Sequence, residues 1–191
     1  MQVISLFRRP CLSRAVRGLG PVVAAAGLIL TGTATAHASP ILADSFEGNP
    51  SSRWQVLTSG DNEASFDINQ GHARSGVNNG WLRTGTGWSA QRIPVSIGSW
   101  GDRTRCTASI YAQPVGTDPQ DGAQVALQIW HTNGTKLSET APWLPATGYQ
   151  RIATGFVDLN GIDTVYVQAI YGKDGGAKKY VRLDDMTLQC S

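Results

Sequence analysis

The sequence has few of the residues, and none of the motifs, that mark the commonest enzymes and membrane proteins. Among its 191 residues there are only three cysteines, three histidines and two methionines. It contains neither the G-x-S-x-G motif of many serine hydrolases nor the H-E-x-x-H motif of zinc proteases. Its longest apolar run, "VVAAAGLIL" at 22–30, is too short for a transmembrane helix, which needs about 20 apolar residues.

That apolar run belongs to a predicted secretory signal peptide over 1–38. Four arginines (Arg8, Arg9, Arg14 and Arg17) form a basic segment before it, and "AHA" at 36–38 offers the small residues of a cleavage site. The pair Arg8-Arg9 leaves both twin-arginine and general secretion open. We therefore predict a secreted, extracellular protein whose mature part begins at Ser39.

Removal of residues 1–38 changes the charge of the protein. It takes away four of the 16 Lys and Arg and none of the 14 Asp and Glu, which leaves 153 residues with a net charge of −2. This length suits one domain with one core. A mildly acidic chain without basic runs argues against nucleic acid and against anionic membranes as partners.

Cleavage also removes Cys11 and leaves Cys106 and Cys190. An even pair of cysteines in an exported protein favours a disulfide. The two mature histidines, His72 and His131, are too few and too far apart in sequence for a histidine metal triad.

Short runs rich in Val, Ile, Thr, Tyr and Trp alternate with Gly, Asn, Asp and Pro throughout residues 39–191, and no segment has a helical period. The pair Asn133-Gly134 predicts a hairpin turn, and "GKDGGAKK" at 172–179 predicts a loop. Ten strands without helices predict a single all-β domain, an antiparallel jelly-roll β-sandwich. The strands are expected near 53–58, 64–69, 79–84, 88–96, 103–113, 122–131, 135–140, 149–157, 163–171 and 179–190.

Three of these strands separate apolar from polar residues by strict alternation, which places the two sets on opposite faces. The inward set is Cys106, Ala108, Ile110, Ala112, Val125, Leu127, Ile129, Val165, Val167 and Ala169. Cys190 shares its parity with Met186 and Leu188, so a buried Cys106–Cys190 bridge is sterically coherent. The outward faces carry amides, hydroxyls, an arginine and large aromatic rings.

The last strand changes its apolar register at Asp184-Asp185. Val181 and Leu183 share one parity, whereas Met186 and Leu188 have the other. Such a shift predicts a β-bulge, which re-aims side chains and turns one carboxylate inward. A buried carboxylate needs a partner. That partner is either a hard cation such as Ca²⁺, or backbone amides and a nearby arginine.

Three segments of the chain resemble carbohydrate-binding modules of the family 4/9 and family 22 type. They are "ILADSFEGNPSSRW" at 41–54, "ARSGVNNGWLRTGTGW" at 73–88 and "VRLDDMTL" at 181–188. In that family an opening Asn/Asp-x-Phe-Glu, a His/Arg-Ser-Gly segment and a closing Asp-Asp occur in this order. The resemblance implies a jelly roll with a galactose-binding-domain-like fold over nearly all of the mature chain.

The same resemblance implies a structural calcium ion that joins the first and last strands. Carried over residue by residue, its side-chain ligands are Glu47 and one of Asp184 and Asp185. Ser75 or Gly76 contributes a backbone carbonyl, and Asp44 is a less certain addition. The alternative is a metal-free arrangement held by hydrogen bonds.

The outward faces supply what sugar recognition needs, namely flat rings for a pyranose and planar polar groups for its hydroxyls. The predicted carbohydrate-binding residues are Arg105, Tyr111, Gln113, Gln124, Gln128, Trp130, Tyr166 and Gln168. An edge site would instead use Trp88, Trp100 or Trp143, and cross-strand pairs that only stabilise the sheet are the third interpretation. Trp54 and Trp81 are expected in the core.

The sequence therefore predicts a secreted, non-catalytic protein that binds a polysaccharide or glycan on a concave sheet face, alone or beside separate secreted enzymes. An acid–base pair of Glu63 or Asp67 with Glu139 is the remaining route to glycosidase activity. The alternative is a structural or interaction protein on the same fold that binds an envelope or other protein partner, since one fold hosts many functions.

Overall fold

The computed structural model describes residues 40–98 and 105–191, which form strands almost throughout. The predicted signal peptide over 1–38, Trp100 and residues 103–104 of one predicted strand lie outside the described residues. Within the described ranges no helix is long and apolar enough to cross a membrane. The strands are β1 (Leu42–Asp44), β2 (Gln55–Thr58), β3 (Glu63–Ile68), β4 (Asn78–Ser96), β5 (Arg105–Val115), β6 (Ala123–His131), β7 (Lys136–Thr140), β8 (Trp143–Leu144), β9 (Gln150–Ala153), β10 (Val157–Asp158) and β11 (Thr164–Cys190).

Two long strands replace four of the predicted ones. The predicted strands 79–84 and 88–96 are one strand, β4, and 163–171 and 179–190 are one strand, β11. The prediction of a loop at 172–179 is wrong, because this segment stays in the ladder with an irregular register between Asp174 and Lys179. Gly175 and Gly176 have φ of 132° and 90°, so glycine lets the extra residues bulge without ending the strand.

The predicted hairpin at Asn133-Gly134 is confirmed. It joins β6 to β7, and the Gly134 amide donates to the carbonyl oxygen of His131 at 3.0 Å. Gly134 has φ of 88°, which glycine tolerates without strain. The predicted strand 149–157 is split into β9 and β10, and β1 and β8 are too short for alternation to reveal.

The hydrogen-bonded sheet forms two layers because β4 and β11 run through both. The first layer contains β7, β6, residues 164–171 of β11, residues 89–96 of β4, and β2. The second layer contains β9, β5, residues 179–190 of β11, residues 78–84 of β4, and β3. Strand β1 pairs with the end of β11. All pairings are antiparallel, which confirms an all-β antiparallel sandwich.

One hydrophobic core lies between the two layers. All ten residues of the predicted inward set are fully buried, and they join one cluster with Leu82, Ile93 and Leu183. Trp54 is also in the core, where its ring stacks on Phe46 with the ring centroids 4.6 Å apart. Each large apolar side chain of this kind contributes about 1.5–3 kcal/mol on burial. The core requires the outer faces of the two layers to point in opposite directions.

The predicted disulfide joins Cys106 of β5 to Cys190 of β11. The two residues face each other across the β5–β11 ladder, and both side chains are buried. The bridge closes a loop with a sequence separation of 84 residues.

Replacement of both cysteines by serine is expected to lower the free energy of unfolding by about 4 kcal/mol, because a covalent loop of this length restricts the unfolded chain. Equilibrium denaturation in guanidinium chloride measures the difference. The wild-type protein in reducing buffer is the matched control and is expected to behave like the double variant. Equal midpoints for oxidised wild type and double variant contradict the prediction.

Candidate functional site

A row of polar side chains crosses the outer face of the first layer, one from each strand. The cross-strand register places Glu139, Gln128, Gln168, Arg92 and Gln55 side by side on β7, β6, β11, β4 and β2. The members on β6, β11 and β4 have outward parity, because their neighbours in sequence are buried. The register of five strands therefore builds a polar row perpendicular to the strands.

Apolar side chains flank this row and make a groove. On one side Trp130 and Tyr166 are cross-strand partners, and on the other side lie Ile170, Leu57 and Trp88. The groove has a volume of about 340 Å³ and is lined by Leu57, Trp88, Arg92, Gln128, Trp130, Gly134, Gln168 and Ile170. We call this set the first-layer groove. Ala126 and Ala90, the partners of Ile170, add no bulk to its floor.

Hydrogen bonds fix most of the polar row in place. The Gln168 side-chain amide donates to Gln128 Oε1 at 2.9 Å, and Trp130 Nε1 donates to the same oxygen at 2.8 Å. Gln128 Nε2 in turn donates to Glu139 Oε2 at 2.8 Å. Both glutamines are only 7% exposed, and this network orients them. A pre-oriented polar group pays little entropy when it binds a ligand.

Two groups of the row keep unused hydrogen-bonding capacity. Arg92 donates from Nε to Gln55 at 2.7 Å, and its guanidinium lies 4.1 Å from the centre of the Tyr166 ring. Its terminal Nη groups, and Oε1 of Gln168, have no hydrogen-bond partner among residues 40–98 and 105–191. They offer donors and an acceptor to a ligand on the groove floor.

Glu139 is held ionised at the edge of the groove. The hydrogen bond from Lys136 lowers the pKa of Glu139, and the hydrogen bond from Gln128 adds to the effect. A carboxyl group with a lowered pKa is a poor proton donor near neutral pH. Glu139 is therefore an acceptor in the polar row rather than a general acid.

The structure divides the eight predicted carbohydrate-binding residues between two opposite faces. Gln124, Gln128, Trp130, Tyr166 and Gln168 lie on the outer face of the first layer, whereas Arg105, Tyr111 and Gln113 lie on the outer face of the second. The expectation of one shared face is wrong. The reason is that β5 pairs with residues 180–190 of β11, while β6 pairs with residues 165–171 of the same strand.

Two of the three residues on the second face contact other side chains. The guanidinium of Arg74 lies 3.6 Å from the centre of the Tyr111 ring and covers it. Arg105 lies over the ring of Phe156 at 4.9 Å. On the first face, Gln124 is exposed and donates to the carbonyl oxygen of Ala141 at 3.0 Å, away from the polar row.

Alternation within single strands does not identify Arg92, Leu57 and Trp88 as groove residues. Their place depends on which strand lies beside which, and "GWSAQRIPV" at 87–95 reads as a core strand. A signal was present, since Trp88, Ala90 and Arg92 share a parity opposite to that of Ile93 and Val95.

The remaining tryptophans occupy different environments. Trp81 was expected in the core, but it lies half-buried on the outer face of the second layer with its ring centroid 5.5 Å from that of Tyr180. Its parity opposes that of buried Leu82, which explains the error. Trp143 is 61% exposed and lies on β8, outside the first-layer groove.

The acid–base pairs considered from the sequence do not share a cleft. Glu63 and Asp67 are on β3 at the second layer, and Glu139 is on β7 at the first layer. The hydrophobic core separates these layers, so neither pair can flank one glycosidic bond.

The predicted β-bulge lies at Asp184-Asp185. The β5–β11 register shifts between Asp184 and Thr187, and Asp185 has φ of 48°. Asp184 is fully buried, but it keeps the outward parity of Arg182 and lies under the loop at 74–76 rather than among the core residues. The bulge therefore turns the strand so that Met186 and Leu188 rejoin the core.

Backbone N–H groups hold the Asp184 carboxylate. Its Oδ2 accepts from Arg74 at 2.6 Å and from Ser75 at 3.0 Å, and its Oδ1 accepts from Asp185 at 2.8 Å. Burial raises the pKa of Asp184 to about 6, against the opposing effect of these hydrogen bonds. No side-chain cation contacts Asp184 within the described residues.

The other predicted calcium ligands are engaged to different degrees. The Asp185 carboxylate is bound by the Arg74 guanidinium and by the Ser75 hydroxyl. Glu47 Oε1 accepts from the amides of Val77 at 2.8 Å and Asn78 at 2.9 Å. Gly76 permits this approach, since a Cβ on it would lie 2.2 Å from Glu47 Oε1. Asp44 is paired with Arg53 at 2.8 Å.

These contacts test how well the residues fit a calcium ion. Asp185 and Asp44 do not fit, because arginine already occupies their carboxylates. Glu47 Oε2 and the second lone pair of Asp184 Oδ1 have no donor in the described part of the chain, and they fit a hard cation. No cluster of three or more Asp, Glu, His or Cys side chains suited to a metal occurs in that part. Backbone carbonyls and water would have to complete the shell.

Comparison with known proteins gives matches at the level of structure. No protein-family profile matches the chain, and no curated protein sequence matches it. The structure is similar to the CBM22-1 xylan-binding domain of Paenibacillus barcinonensis Xyn10C, with a TM-score of 0.59 and 13% identity over 81% of this chain and 96% of that domain.

Two further solved structures agree. TmCBM61, solved in complex with beta-1,4-galactotriose, has a TM-score of 0.55 and 14% identity over 77% of this chain and 94% of its own. The C-terminal family 22 carbohydrate-binding module of Clostridium thermocellum Xyn10B has a TM-score of 0.56 and 13% identity, over 79% and 92% of the two chains. The predicted jelly-roll sandwich, and its likeness to modules of this type, are confirmed for the fold.

The contrast between the two aspartates yields a prediction. Asp184→Asn is expected to lower the free energy of unfolding by at least about 2 kcal/mol, because a carboxamide has one acceptor oxygen and its NH2 group would face a buried backbone N–H that then has no acceptor. Asp185→Asn is the matched control and is expected to cost about 1 kcal/mol or less, because its ion pair is partly exposed. Denaturant unfolding in EDTA measures both variants without contribution from metal. Equal losses for the two variants contradict the assignment of Asp184 as the buried anchor.

Proposed function

We propose that the protein is a secreted, non-catalytic carbohydrate-binding protein that holds a polysaccharide chain in the first-layer groove. The observation that carries the proposal is the polar row Glu139, Gln128, Gln168, Arg92 and Gln55 between two apolar borders. The fold is that of modules whose solved examples include a xylan-binding domain and a complex with beta-1,4-galactotriose.

The groove chemistry suits a pyranose chain. Sugars present apolar C–H faces, which aromatic rings cover, and equatorial hydroxyls, which planar amide and guanidinium groups bind. Trp130 and Trp88 line the groove on opposite sides of the polar row, and the free Nη groups of Arg92 point to a hydroxyl-rich ligand. An uncharged polymer is the class proposed for the groove, in keeping with the beta-1,4-galactotriose held by the similar TmCBM61 structure.

Binding to polymers tests this proposal. Wild-type protein is expected to be retained on at least one of xylan, β-1,4-galactan and cellulose in a pull-down assay. Trp130→Ala and Arg92→Met are each expected to weaken the affinity at least tenfold, a loss of about 1.4 kcal/mol. Trp130→Ala removes a ring on which a sugar can stack, and Arg92→Met removes hydrogen-bond donors from the groove.

Trp143→Ala is the matched control, because Trp143 is an exposed tryptophan outside the groove. It is expected to bind like wild type. Loss of binding in Trp143→Ala alone would place the ligand at the loop edge. If none of the polymers retains the protein, the result would favour the alternative function, that of a structural protein that binds a protein partner.

We propose in addition that a structural calcium ion joins the segment after β1 to β11 through Glu47 and Asp184. The support is the unused acceptor capacity of Glu47 Oε2 and Asp184 Oδ1, together with the burial of Asp184 without a cationic side chain. The ion would supply the positive charge that this buried carboxylate lacks, and its role would be stability rather than sugar contact.

Thermal unfolding with calcium and with EDTA tests the ion. Calcium at a hundredfold excess over its dissociation constant is expected to stabilise the protein by about 2.7 kcal/mol. Glu47→Gln and Asp184→Asn are expected to abolish the shift, whereas Asp185→Asn is expected to keep it. The same melting temperature in calcium and EDTA would support the hydrogen-bonded arrangement without metal.

A further inference from the structure

A second cavity lies on the opposite side of the molecule from the first-layer groove. It has a volume of about 360 Å³ on the outer face of the second layer. Its lining residues come from β3, β4, β5, β11 and the segment after β3, and they are Asp67, His72, Trp81, Val115, Tyr180 and Arg182. We call this set the second-layer cavity. The hydrophobic core separates this cavity from the groove, so one ligand cannot contact both sites.

The sheet register builds this cavity from two adjacent rows. Arg182 is the direct cross-strand partner of Trp81 on β4, and Tyr180 is the partner of Val115 on β5. The Trp81 and Tyr180 rings contact each other at 53° between planes. Trp81 is half-buried and Tyr180 is 38% exposed. An apolar platform with an arginine beside it is therefore open to solvent.

Arg182 differs in its contacts from three other arginines of the protein. Arg53, Arg74 and Arg83 each form an ion pair with a carboxylate, to Asp44, Asp185 and Glu63. Arg182 forms no hydrogen bond or ion pair with any residue of the described ranges. It is half-buried and lines a cavity. A guanidinium in this position has its full fork of donors available for an external anion.

The polar part of the lining is held in place by its own contacts. His72 Nδ1 lies 3.3 Å from Asp67 Oδ2, and the Tyr149 hydroxyl donates to the His72 carbonyl oxygen at 2.9 Å. Asn79 Nδ2 also reaches Asp67, at 3.5 Å. Asp67 is thus committed mainly to His72 and Asn79, and it is not the ion-pair partner of Arg182.

We propose that the second-layer cavity is a separate binding site for an acidic oligosaccharide, one that carries a uronic acid residue. The planar carboxylate of the uronate accepts two parallel hydrogen bonds from Arg182. The C–H face of its pyranose ring packs on Trp81 beside Tyr180. Asp67 and His72 supply hydrogen-bond partners for the ring hydroxyls. The site is independent of the proposed function of the groove.

Isothermal titration of the full protein with a galacturonic acid trisaccharide tests the proposal, and its methyl ester is the uncharged matched ligand. The free acid is expected to bind at least tenfold more tightly than the ester. Arg182→Gln and Trp81→Ala are each expected to weaken binding of the acid at least tenfold. Arg182→Lys keeps the charge but not the planar fork, and it is expected to give an intermediate affinity. Near-ultraviolet circular dichroism confirms that each variant is folded.

Trp130→Ala, in the first-layer groove, is the control and is expected to leave binding of the acid unchanged. The proposal is overturned if the acid does not bind to folded wild-type protein, or if the ester binds equally well. It is also overturned if Trp130→Ala removes binding of the acid while Arg182→Gln does not. Failure of the polymer pull-down leaves this result unaffected, because the two experiments probe different faces and the acid-binding variants, Arg182→Gln and Trp81→Ala, are not used in the pull-down.

Discussion

The antiparallel pairing of β4 with β11 is the constraint on which the rest of the structure depends. These strands pair from Thr164–Ser96 to Leu183–Gly80, and every other strand except β7, β8, β9 and β10 pairs directly with one of them. Because both strands pass through both layers, their register fixes the inner and outer faces of the whole sandwich. It also decides which polar residues become neighbours across strands.

Local alternation predicted the fold and the core well, because the apolar and polar residues of a single strand already show which of its faces is buried. The ten inward residues, the hairpin at Gly134 and the disulfide were all predicted from short segments. The bulge at Asp184-Asp185 was also visible, because Leu183 and Met186 could not both point inward without it. These features depend on contacts within a strand or on the number of cysteines.

The candidate site was predicted only in part, because it depends on which strands are neighbours. Gln128, Trp130, Tyr166 and Gln168 were found from parity, but Tyr111 and Gln113 were placed with them although β5 belongs to the other layer. Arg92 was missed for the same reason, and Trp88 was named only for the alternative edge site. Because β11 continues through its glycine-rich segment, β5 and β6 pair with different parts of it and lie in different layers. No local pattern in "GKDGGAKK" distinguishes a bulge from a loop.

The polar row has a consequence for how the protein tolerates mutation. Gln168 lies between Val167 and Ala169, both of which are fully buried. A shift of β11 by one residue against its neighbours would send Gln168 into the core and Val167 to the surface. A chain that assembles with such a shift would therefore lose its core together with its groove. Selection for a stable fold thus also preserves the alignment of the groove, and substitutions at its exposed border leave the core untouched.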